Sequence, residues 1–288
     1  MVPAGIFSDL KSLIELNLSN NKINSVPTGI FDGLESLKKL NLNNNPIQAL
    51  PENMFYKIKK LQKFSFVNFK LHNSTSLSLP STMFQNLPIK KIHFEKVKIE
   101  KLPDHFLREC SHLDTLIVKS CLIEILPIDL FEDSKDVQKI DFSRNNIAML
   151  PLSIFKGLLK LQELNLHENR LAMLGPNQFQ ELISLSYIKL SQNHLNNISE
   201  LKFHEGIKEI DISNNHLQCQ NSLFSTQTRL KNLQIINLSH NRIINYENCF
   251  NEELEDLKIL DLKYNSITGD LSQVQGSHKR LHSWRDDS

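Results

Sequence analysis

Residues 161–171 read Leu-Gln-Glu-Leu-Asn-Leu-His-Glu-Asn-Arg-Leu, with apolar side chains at the first, fourth, sixth and eleventh positions and an asparagine at the ninth. The same frame recurs at Leu13/Leu16/Leu18/Asn21/Ile23, Leu37/Leu40/Leu42/Asn45/Ile47, Leu233/Ile236/Leu238/Asn241/Ile243 and Leu257/Leu260/Leu262/Asn265/Ile267. Weaker copies start at Leu61, Ile89, Leu113, Val137, Leu185 and Ile207, giving about eleven units, most of them 24 residues apart. A register held over so many units outranks any local reading of helix or strand. Alternation of apolar and polar residues around Leu164 fits a short strand with one face buried.

The second half of each unit repeats too, as Val26-Pro27 to Phe31, Leu50-Pro51 to Phe55, Leu79-Pro80 to Phe84, Leu126-Pro127 to Phe131 and Leu150-Pro151 to Phe155. These units are identified as leucine-rich repeats of the 24-residue extracellular type. The reading is an α/β-class, right-handed solenoid or horseshoe, with a parallel concave sheet and irregular or 3₁₀-like segments on the convex side. The asparagine column is expected to turn inward where the chain leaves the strand and bond backbone groups that burial would otherwise orphan. Phenylalanines should stack on the convex side.

Composition limits the function. Thirty-three Lys+Arg against 32 Asp+Glu leave a formal charge of +1, so no bulk field argues for nucleic acid or a membrane surface. Apolar runs are too short for a span. Eight glycines argue against phosphate-binding loops, and four cysteines are too few for a disulfide framework. The chain carries no catalytic motif and no metal-ligand spacing; no cofactor is expected, and it reads as a non-enzyme. The organisation expected is a partial repeat over 1–12, the solenoid over 13–275 and a polar tail over 276–288. With no Cys-rich cap at either end, it reads as a piece of a longer solenoid.

Departures from the frame mark candidate sites. Lys70–Leu79 lengthens the third unit to 28 residues, and the asparagine column holds Phe69, Val97 and Cys121 in three successive units, so the ladder is expected to be interrupted there. Between the leucines, Lys38, Lys39, Lys63, Lys90, Lys91, His93, Lys96 and Lys119 make a basic stripe on the expected concave face; Asp141, Glu163, Glu168, Glu209, Asp211 and Asp261 follow it. Such a stripe is either a solvated face or a docking site for an acidic protein surface. Its lack of interleaved aromatics speaks against nucleic acid. Cys110 and Cys121 read as core thiols, whereas Cys219 and Cys249 follow adjacent strands and are either a disulfide or two thiols. Sequons fall at Asn17, Asn73, Asn197 and Asn237, and Asn73, in the inserted loop, is the best glycan acceptor.

The irregular stretch Leu79–Phe84 running into Ile99–Phe106, and the lengthened unit at Asn215–Asp261, resemble Toll and Toll-like receptor ectodomains, the insect type most closely. That resemblance implies a receptor that binds a cystine-knot cytokine of the Spätzle kind, or a microbial product, and then pairs with a second receptor. Its membrane attachment would lie in a segment this chain does not contain. The alternative is a secreted or matrix leucine-rich protein acting in adhesion or as a scaffold.

Overall fold

The computed structural model describes residues 3–69, 76–219, 222–224, 230–250 and 254–268. Eleven short strands lie side by side in chain order in one parallel sheet. They are β1 (Glu15–Asn17), β2 (Lys39–Asn41), β3 (Lys63–Val67), β4 (Lys91–Glu95), β5 (Thr115–Lys119), β6 (Lys139–Asp141), β7 (Glu163–Asn165), β8 (Tyr187–Lys189), β9 (Glu209–Asp211), β10 (Ile235–Asn237) and β11 (Ile259–Asp261). The register follows the repeat, with Leu16 opposite Leu40, Phe64 opposite Ile92 and Leu164 opposite Ile188. Return segments are turns, and a single 3₁₀ turn at Tyr246–Cys249 is the only helical element among the described residues. Asn73 and residues 276–288 lie outside the described residues, as does most of the inserted loop.

The core is a set of columns. Leu37, Leu42, Leu61, Leu113 and Leu161 are fully buried. On the return side Phe55 meets Phe84 and Phe84 meets Phe106 at 5.8 and 5.4 Å between ring centres, and Phe131, Phe155, Phe179 and Phe203 form a second run. Each buried ring contributes about 2 kcal/mol. At the outermost coils the same columns are only partly buried, at Leu13, Leu16 and Leu18 and at Leu257, Leu260 and Leu262, because each has a neighbour on one side only.

Asn145 shows what the asparagine column does. Its amide donates to the carbonyls of Val118, Phe142 and Ser143 at 2.7, 2.9 and 3.2 Å, and its Oδ1 accepts from the backbone N–H groups of Cys121 and Ile123 at 3.1 and 3.0 Å. Asn169, Asn193, Asn215 and Asn241 repeat the pattern. One residue earlier, ten of the eleven coils adopt the left-handed conformation, at φ of +53° to +58° from Asn20 to Tyr264. A non-glycine residue accepts that strain only where packing over-determines it.

The central irregularity differs from expectation in two ways. First, the asparagine ladder is interrupted at Val97 and Cys121, yet the sheet is not weakened: β3, β4 and β5 have five residues each where the others have three, so the sheet is deepest there. Where no amide turns inward, backbone pairing takes over, and the Ile99 N–H bonds the Cys121 carbonyl at 2.8 Å in place of an asparagine oxygen. Second, Phe69 does not enter the column occupied by buried Val97 and Cys121; it is 74% exposed. Asn68, which lacks the left-handed φ of its counterparts, is buried instead, and the bulk of Phe64, Phe66 and Phe94 fills the core below.

Burial pushes the thiols of Cys110 and Cys121 up to about 12, which keeps both protonated and inert. Cys219 and Cys249 are joined in a disulfide, with Cα atoms 4.9 Å apart. Removing it by a double Cys→Ala change should cost about 3–4 kcal/mol from the loop it closes. Asn145→Ala should cost about 3 kcal/mol, since it strands several buried backbone groups. By contrast Asn21→Ala should cost under about 1 kcal/mol, because that exposed amide bonds only carbonyls of its own coil. Urea midpoints at unchanged slope check all three.

Candidate ligand-binding face

Side chains at the first and third residues of each strand stand on the open face of the sheet. The register sets Lys39, Lys63 and Lys91 in one row across β2, β3 and β4, flanked by Glu15 on β1 and Thr115 on β5. Lys39 is held by Glu15 at 2.8 Å, whereas Lys63 and Lys91 have no carboxylate partner among the described residues. Farther along the row Lys139 pairs with Glu163. Lys63 and Lys91 are thus the neighbouring cations of this row that no acid among the described residues neutralises.

Other residues of the sequence-derived stripe are placed differently. Lys38 and Lys90 precede their strands, at the opposite edge, where their carbonyls each accept two N–H groups from the next coil. Lys96 lies in the left-handed turn beyond β4, off the sheet. His93 stands in the next row, between Ser65 and Ile117, and contacts Glu95 at 3.3 Å. Lys119 lies 4.0 Å from the same Glu95. Sequence reasoning collected the basic side chains of this stripe and did not include Glu95; as the fifth residue of β4 this acid stands on the face, where it serves both His93 and Lys119.

Burial lowers the His93 pKa from 6.5, with Lys91 acting in the same direction and the hydrogen bond and charge of Glu95, with Asp141, opposing. Toward the other end the face becomes polar and acidic. Nδ1 of His167 lies 2.9 Å from Ser191 Oγ, Ser191 donates to Asp211 at 2.9 Å, and Ser213 donates to the other Asp211 oxygen at 2.8 Å. The serine sits between histidine and aspartate and spends its proton on the carboxylate. Histidine is therefore not placed to deprotonate it, and the set is a structural network rather than a nucleophile with its base.

Among the sequons, Asn17 and Asn237 lie on strands and their side chains accept backbone N–H bonds from Ser19 and Ser239, both at 3.0 Å. Asn197 is exposed and bonds Ser199.

Comparison with known proteins agrees with this architecture. A family model described as leucine rich repeat matches residues 1–47, 11–71, 111–171, 135–195 and 160–217, well over half of the chain. No curated protein matches the sequence. Among solved structures, Toll in the Drosophila Toll–Spätzle complex superposes with a TM-score of 0.75 at 23% identity, over 93% of this chain and 37% of that one. A chain of the octameric complex of latrophilin 3, Unc5D and FLRT2 gives 0.72 at 18% identity, over 97% and 84%. TLR13 bound to a single-stranded RNA gives 0.60 at 20%, over 91% and 45%. The present chain therefore spans about 37% of the Toll chain it matches.

The depressed His93 pKa has a consequence for stability. The unfolded chain takes up this proton below about 6.5 while the folded chain resists it. The stability associated with neutral His93 is thus full above 6.5 and is lost as pH falls from 6.5 through the folded value. Urea midpoints measured between pH 7.5 and 5 should fall more steeply for the native chain than for His93→Gln.

Proposed function

The chain belongs to the leucine-rich repeat family, and from that premise we propose that it is a ligand-binding part of a Toll-like ectodomain whose sheet face docks an acidic surface of a protein ligand. The observation that carries this reading is the row formed by Lys63 and Lys91, adjacent on rigid strands and free of carboxylate partners among the described residues. Charges already held on a rigid sheet lose little conformational freedom on binding, and an acidic partner supplies the missing counter-charges. Lys39 and Lys119, each near a carboxylate, form the border of the site, Lys38, Lys90 and Lys96 add positive potential around it, and His93 offers a largely neutral hydrogen-bonding imidazole beside it.

The ligand class is a cystine-knot cytokine of the Spätzle kind or a microbial product, followed by pairing of two receptors; the likeness to Toll solved with Spätzle supports it. An extracellular location is supported by the Cys219–Cys249 disulfide, since such bonds persist in oxidising compartments. Glycans on Asn73 and Asn197, with Asn17 and Asn237 as further acceptors, belong to the same reading. No helix among the described residues is long and apolar enough to cross a membrane.

A second reading, an adhesion or scaffold protein, draws on the likeness to a chain of the FLRT2 complex, 84% of whose length is covered. The two separate in one experiment. Surface plasmon resonance with a recombinant cystine-knot cytokine of the Spätzle kind should show binding that weakens with salt. The Lys63→Glu/Lys91→Glu pair should lower affinity at least about tenfold, or 1.4 kcal/mol, with unchanged circular dichroism. Equal affinity for native and doubly substituted chains would remove the face from ligand recognition.

A further inference from the structure

We propose that His105, Asp129 and Glu132 form a binding site for a zinc-class divalent cation that clamps the return segment of the fourth coil to that of the fifth. His105 belongs to the fourth coil, Asp129 and Glu132 to the fifth, and one ligand atom from each lies within 4.8 Å of the other two. None of these residues belongs to the sheet face, and the spacing of 24 and 27 residues hides the set from any local motif.

The unsatisfied atom at this place is Oδ1 of Asp129. Its partner oxygen, Oδ2, is well served: the His105 ring contacts it at 2.5 Å through Nδ1, and the His105 backbone N–H donates to it at 3.2 Å. Oδ1 is buried and has no hydrogen-bond partner. A buried carboxylate oxygen in that condition calls for a donor or a cation. Asp129, Glu132, Asp133, His105 and Arg108 line a solvent-open depression of about 290 Å³, ample for an ion with bound water. With neutral imidazole, three carboxylates against one guanidinium leave the lining at −2, which a divalent ion balances. Asp133 is already engaged, accepting the Glu109 N–H at 2.9 Å, so it stands beside the ligands rather than among them.

The donor set selects the cation. Calcium and magnesium take oxygen ligands, whereas one imidazole with carboxylates suits zinc and its neighbours. Ligands around tetrahedral zinc sit about 3.3 Å apart, so atoms as much as 4.8 Å apart must close in, while the His105 and Asp129 atoms now 2.5 Å apart must open to admit the ion. Glu132 and His105 are exposed and can make that movement, while half-buried Asp129 stays fixed. Zinc binds Nδ1 of the neutral His105 ring, whose proton passes through solvent to the exposed Nε2, and water completes the coordination. One coil further on Ser153 and Lys156 stand in the corresponding places, and among the described residues no other such set occurs, so the site is not a product of the repeat.

Titration calorimetry of the full chain with zinc chloride tests this. The expected result is one saturable ion per chain, unaffected by excess calcium, with a rise in Tm. His105→Asn keeps a residue that tolerates the φ of +58° at this position, and Glu132→Gln preserves shape; each should weaken uptake at least tenfold and abolish the Tm rise. Zinc should also slow amide exchange in residues 103–110 and 127–134. No saturable uptake by the native chain, or uptake unchanged in both variants because other histidines hold the ion, would overturn the proposal.

Discussion

Every coil of this solenoid must leave its strand through the interior, and there it buries peptide groups that no strand neighbour can reach. The asparagine column meets that constraint. An amide such as that of Asn145 presents donors to carbonyls of its own and the preceding coil and an acceptor to two N–H groups of the preceding coil, so one side chain serves a whole corner. Because the bonds join residues about 24 apart, they fix the distance between coils as well as the shape of each. Leucine and phenylalanine columns then supply attraction without choosing a register, and the amides choose it.

The three central coils show that the constraint, rather than the asparagine itself, is what the fold requires. Around Val97 and Cys121 the corner is satisfied by longer backbone pairing, which extends β3, β4 and β5. That change in hydrogen bonding also alters the open face. The added residues bring Glu95 and Lys119 onto the open face beside His93, and the charge pattern there becomes a free lysine pair bordered by compensated groups. The same irregularity turns Phe69 outward.

A rigid parallel sheet of this kind separates scaffold from recognition. Its inward columns are fixed by packing, while its outward positions can vary without disturbing the fold, which is why likenesses at 18–23% identity extend over nearly the whole chain. Such likenesses establish the solenoid; the chemistry of binding has to be read from the lysines and carboxylates of this chain. Those groups run from basic near β3 and β4 to acidic and hydroxyl-rich near β9, a polarity that orients any charged partner along the sheet.

The sequence by itself determined the repeat, the strand positions, the buried leucine and phenylalanine columns and the role of the amides, because each is a residue type recurring at a fixed interval and needs only its neighbours one coil away. It also marked Phe69, Val97 and Cys121 as departures and read Cys121 as a core thiol. Tertiary structure alone decided how the departures were resolved: the longer strands, Asn68 inside and Phe69 outside, Glu95 against His93 and Lys119, and the joining of Cys219 to Cys249. The cluster of His105, Asp129 and Glu132 belongs with them. Periodicity specifies where a backbone passes, but a position that breaks the period takes its conformation from the volume and hydrogen bonds offered by the coils on either side, and those exist only once the coils are stacked.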